Sequence, residues 1–90
     1  MSSPAEVTRT IDDVLAWAVS ALRPNDAILI QAEADAGEEY FAFIDAVSIA
    51  HHTGPSLPRH LETAVQALAA QDARFRDDLR HATHPDRAAT

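Results

Sequence analysis

Residues 49–60 read IAHHTGPSLPRH and hold three of the chain's five histidines, His51, His52 and His60. Imidazoles ligate metal ions and titrate near neutral pH, so this cluster is the first candidate for chemistry. A protein-held metal needs three or four donors at one point. His51 and His52 are adjacent, and on an extended backbone they point opposite ways. The site therefore exists only if His60 returns to meet one of them. His81 and His84 stand at i, i+3, but a straight helix would place them about 30 Å beyond His60. Their simpler role is as cations at a helix C-terminus. No H-E-x-x-H spacing is present. Metal binding or pH sensing at His51, His52 and His60 is an alternative function, and no cofactor is expected.

Other chemistry has less support. There is no cysteine, which removes disulfides and thiolate ligands. No serine sits in a G-x-S-x-G context. Ser48 with His51 or His52 is a conceivable nucleophile pair, but nearness in sequence does not make relay geometry. Two glycines in the whole chain exclude a glycine-rich phosphate loop. Glu38-Glu39 and Asp77-Asp78 read as solvated acidic pairs. The expectation is a noncatalytic protein.

Charge narrows the partners. The formal net charge is −7 and every basic residue other than histidine is arginine. Residues 1–50 carry Arg9 and Arg23 against nine acids, whereas residues 51–90 balance five arginines with five acids. An acidic chain does not displace counterions from nucleic acid and is repelled by anionic membranes. Direct nucleic-acid or membrane binding is not expected. An acidic protein that imitates a phosphate backbone and inhibits a nucleic-acid-binding protein is a further alternative. The N-terminus shows no basic segment leading into an apolar one, and no apolar run approaches the ~18 residues of a membrane span. A cytoplasmic location is the expectation.

The elements that must position these residues fit one domain of 90 residues. Residues 1–9 read as a disordered end, residues 10–84 as the domain and residues 85–90 as a disordered tail. A first helix starts at Thr10, with Asp13 three residues on in a capping-box-like pattern. Ile11, Val14, Leu15, Ala18 and Leu22 make its apolar stripe, widened by Trp17 and Ala21, and Pro24 ends it. In DAILIQAEADAGEEYFAFID, alternation predicts two strands joined at Ala36-Gly37. That register sets Ile30 opposite Phe43, Leu29 opposite Ile44 and Glu33 opposite Tyr40. The helical alternative rests on Tyr40, Ile44, Val47 and His51 at 3–4 spacing. Thr53-Gly54-Pro55 then breaks the chain, and Ser56 is the predicted cap of a long helix ending at His84-Pro85. Leu61, Val65, Leu68, Asp72, Phe75 and Leu79 form its seam, with Asp72 the one polar member.

The predicted fold is α+β in the order helix, β-hairpin, long C-terminal helix (αββα), and the alternative is all-α with three to four helices. A helix of ~27 residues would be ~40 Å long, so it either breaks near Ala70-Gln71-Asp72 or projects beyond its core. A projecting seam and an isolated hairpin with open edges both call for a second chain. The expected function is a small acidic interaction or regulatory module that self-associates and binds another protein. Its candidate interface is Leu29, Tyr40, Phe41, Phe43, Ile44, Phe75 and Leu79.

Overall fold

The computed structural model describes residues 3–83, and all of its regular structure is helical. Five helices follow one another: α1 (Pro4–Ala21), α2 (Pro24–Asp35), α3 (Glu39–His52), α4 (Arg59–Gln71) and α5 (Ala73–Thr83). The predicted hairpin, and with it the αββα fold, is overturned. The all-α alternative names the right class but counts too few helices.

Turn chemistry explains the difference. Asp35-Ala36-Gly37-Glu38 does reverse the chain, but as a helix stop. Gly37 takes φ +85°, its N–H bonds to the Ala34 carbonyl at 3.1 Å, and the Glu38 N–H bonds to the Glu33 carbonyl at 3.0 Å. This pair of bonds is the Schellman arrangement, which a left-handed glycine closes after a helix. The same glycine suits a two-residue hairpin, so the turn alone does not distinguish strands from helices. The period was equally ambiguous because α3 is packed on three sides, by α1, α2 and α5. A helix enclosed in this way is apolar almost all round, and no single stripe survives to mark a period of 3.6. Its buried residues, Ala42, Phe43, Ala46, Val47 and Ala50, nevertheless recur at helical spacing.

The first helix begins six residues before Thr10. Ser3 is its cap: the Glu6 N–H bonds to Ser3 Oγ at 3.2 Å and the Ser3 N–H bonds to Glu6 Oε1 at 2.9 Å. This is a complete capping box with Pro4 in the first turn. These bonds to Ser3 lower the Glu6 pKa, the backbone N–H contributing most. The predicted disordered end is therefore helical from Pro4 onward. Thr10 is instead a buried interior residue whose hydroxyl donates to the Glu6 carbonyl.

The predicted long helix is two helices. The chain bends at Asp72, whose Oδ1 accepts the N–H groups of Arg74 and Phe75 at 3.0 and 3.2 Å. The polar member of the seam is thus the cap of α5, its carboxylate turned to the backbone. Ser56 does not cap α4, which starts after Pro58. The predicted stop at His84-Pro85 and the tail at 85–90 lie outside the described residues.

One core unites the helices: Val14 and Leu15 from α1, Ile30 from α2, Phe43 from α3, Val65 from α4, Phe75 from α5 and their neighbours. The radius of gyration is 12.5 Å. With the strands absent and the last helix folded back, the two features that called for a second chain are gone. Around the core, α1, α3, α5 and α4 form a four-sided ring in which α3 and α4 each pack on α1 and α5 but not on each other. That diagonal gap is what positions the site.

Candidate functional site

The gap opens as a cleft of about 450 Å3 between α3, α4 and α5, with the 53–58 loop closing one end through Ser56 and Leu57. Each helix contributes a short stripe set by helical spacing. From α3 come Val47, Ala50 and His51; from α4, Glu62, Val65, Gln66 and Ala69; from α5, Arg76, Leu79, Arg80 and Thr83. In each stripe the residues nearer the core are apolar and the outer ones polar. Val47, Ala50, Val65 and Leu79 are buried and form the floor, while the outer side chains of His51, Gln66, Arg76 and Arg80 are exposed at the rim. Arg76 and Arg80 are one turn apart on the same face of α5. Arg76 makes no ion pair among the described residues. On the opposite wall, Glu62 Oε2 accepts from Gln66 Nε2 at 2.7 Å.

The cleft brings a serine, a histidine and a glutamate to one rim. A nucleophile relay needs them hydrogen-bonded in series. No such bond joins Ser56, His51 and Glu62 among the described residues, and Glu62 is engaged by Gln66.

The two adjacent histidines have different surroundings. Their rings meet edge to face with centroids 5.1 Å apart. His51 faces the cleft. His52 Nε2 lies 2.8 Å from the Ala82 carbonyl in the last turn of α5, so that nitrogen carries the proton and donates it. Ser48 Oγ donates to the same carbonyl at 3.0 Å. Ser48 and His52 do come together, but as two donors on one acceptor, and the serine proton is directed at the backbone. His60 lies exposed in the first turn of α4. Among the described residues, no group of three or more histidines and acids is placed to hold a metal ion. His81 Nδ1 donates to the Asp77 carbonyl at 2.9 Å within α5, and His84 lies outside the described residues.

The seven candidate interface residues divide. Phe43, Phe75 and Leu79 belong to the core. Phe43 and Phe75 stack with centroids 5.4 Å apart and planes 14° from parallel. Tyr40 and Ile44 are half-buried; Leu29 and Phe41 remain exposed, Phe41 at 62%. The Tyr40 hydroxyl donates to Asp78 Oδ2 at 2.5 Å, and burial followed by this bond pushes the phenol's pKa up.

A second polar cluster escaped the sequence reading. Glu33 on α2 faces Asp45 on α3, with Glu38 in the turn nearby. Glu33 Oε1 is buried without a hydrogen-bond partner among the described residues. Burial first, then the Asp45 carboxylate and the charge of Glu38, raise the Glu33 pKa to about 7. The predicted strand register paired Glu33 with Tyr40, so only the helical pairing reveals the two acids together.

No family model, curated protein or solved structure matches this chain. No described helix is long and apolar enough to cross a membrane.

Proposed function

We propose that the protein is a small noncatalytic binding module whose working site is the cleft between α3, α4 and α5. The observation that carries this is the cleft's make-up: about 450 Å3, an apolar floor and a polar rim contributed by three helices and the 53–58 loop. Small-molecule sites share its concave shape, its volume of a few hundred cubic ångströms and its pairing of apolar contact with polar side chains that orient the ligand. A binding role is supported by side chains from three helices converging on one apolar floor. The test is a screen of small amphipathic compounds followed through the methyl resonances of Val47, Val65 and Leu79. Compounds should move these methyls, and Ala69→Trp, which fills the cleft from its half-buried wall, should abolish the response while helicity by circular dichroism persists. Binders that perturb only other parts of the protein would remove the cleft from consideration.

A second reading, contact with a protein partner, is favoured by a separate observation. Among the described residues, the exposed large apolar ones, Val19, Ile28, Leu29 and Phe41, lie on α1–α3, within the half of the chain that carries the −7 charge. Such a surface suits a partner that is apolar and basic, since a second copy would bring its own acids against it. A homodimer in sedimentation that Phe41→Ser dissolves would put a second copy in place of the basic partner.

A further inference from the structure

We infer that the cleft takes a small organic carboxylate with an apolar tail, the carboxylate held by Arg76 and the tail lying on Val47, Val65 and Leu79. This rests on the binding role proposed above and adds the chemical class of the ligand. Arg76 and Arg80 place two guanidinium groups one helical turn apart on the α5 wall. A guanidinium's planar fork matches a carboxylate bidentately, and charge-assisted bonds of this kind are about twice as strong as neutral ones. Arg76 has no protein carboxylate as an ion-pair partner among the described residues. In a chain of net charge −7, Arg76 brings a positive charge to this rim. Among the described residues, Glu62 on the facing wall is the one acid lining the cleft, and its bond to Gln66 keeps it directed along α4. It stands against a second negative group on the ligand and so favours a monocarboxylate over a diacid. The floor residues, buried and without polar atoms, supply the apolar contact that a bare anion such as acetate would not use.

The experiment compares octanoate, octanol, octylammonium and acetate by titration calorimetry and methyl chemical shifts on the full chain. Octanoate should bind about tenfold more tightly than octanol, because a charge-assisted pair replaces a neutral contact. Octylammonium should bind more weakly still, and acetate should not register. Arg76→Gln should bring octanoate down to the octanol level while leaving octanol unchanged. Arg59→Gln, an exposed arginine outside the cleft, should change neither. If octanol matches octanoate, or Arg76→Gln leaves octanoate affinity intact, the carboxylate assignment is overturned and the cleft remains an apolar site. If neither octanoate nor octanol moves the cleft methyls, the binding role and the ligand class fall together.

Discussion

Helix α3 has two sides that are built differently. Toward α5, each polar group that crosses the seam meets a partner: Tyr40 with Asp78, and Ser48 and His52 with the Ala82 carbonyl. Between them Phe43 stacks on Phe75. Toward α2, Ile30 supplies the fully buried apolar contact, but Glu33 Oε1 is buried without a hydrogen-bond partner among the described residues, and the carboxyl stands beside that of Asp45. Apolar burial stabilises both seams, while an unmatched polar atom subtracts from one of them. The contrast teaches that one helix can be fixed firmly on one side and depend on solution conditions on the other.

The largest expected effect sharpens the firm side. Phe43 is fully buried, and Phe43→Ala should cost about 3–5 kcal/mol through lost transfer energy and the cavity left beside Phe75. For a domain with a total stability on the order of 5–15 kcal/mol this approaches unfolding. Ile30→Val, a milder cut on the α2 side, should cost only about 0.5–1.5 kcal/mol. Urea denaturation of both variants measures the difference. Equal losses would show that the α5 seam has no special weight.

The next effect concerns pH. The Glu33 carboxyl titrates at about 7 in the folded protein, against 4.5 when unperturbed. Between those values the folded chain holds a proton that the unfolded chain has released. The associated stability is complete below pH 4.5 and drains away as pH rises through 7. Water reaches part of this side chain, so the loss should be on the order of 1–3 kcal/mol rather than the full value of the shift. Glu33→Gln keeps the shape and cannot ionise. Its urea midpoint should fall less than that of the unsubstituted protein between pH 4.5 and 7.5. Parallel pH profiles for the two proteins would remove Glu33 as the source.

The same contrast sets how much could be read from the sequence. On α1 the stripe Val14, Leu15, Ala18 and Leu22 was legible because one face alone is buried. Leu61, Val65, Leu68, Phe75 and Leu79 were legible for the same reason, and the single polar residue among them, Asp72, marked the bend. Helices α2 and α3 were not. Enclosed on three sides, α3 loses its stripe; α2 buries only Ile30 and leaves Ile28 and Leu29 exposed, and Gly37 serves a helix stop as well as a hairpin. The cleft was legible only at one edge, through His51 and Ser56. Its remaining polar rim comes from Glu62, Gln66, Arg76 and Arg80, and sequence spacing sets Arg76 and Arg80 against Asp72 and Asp77 along one helix rather than at a cleft. That they share a rim follows from the bend at Asp72, which folds α5 back against α4.

The smallest effects divide the adjacent histidines. His52 and Ser48 donate to one carbonyl near the end of α5. Removing either leaves the Ala82 oxygen with the other donor, so His52→Ala or Ser48→Ala alone should cost about 0.5–1 kcal/mol. Removing both leaves a carbonyl at the seam without its side-chain partners. The double variant should therefore lose more than the two single losses combined, a coupling that a double-mutant cycle isolates. His51 makes no such bond to α5 among the described residues and lies exposed at the cleft rim. His51→Ala should leave stability within about 0.5 kcal/mol. Additive losses at Ser48 and His52, or equal losses at His51 and His52, would mean that the Ala82 carbonyl does not distinguish the two rings. With coupling present and His51 silent, one histidine fastens α3 to α5 and its neighbour is left free to meet a ligand.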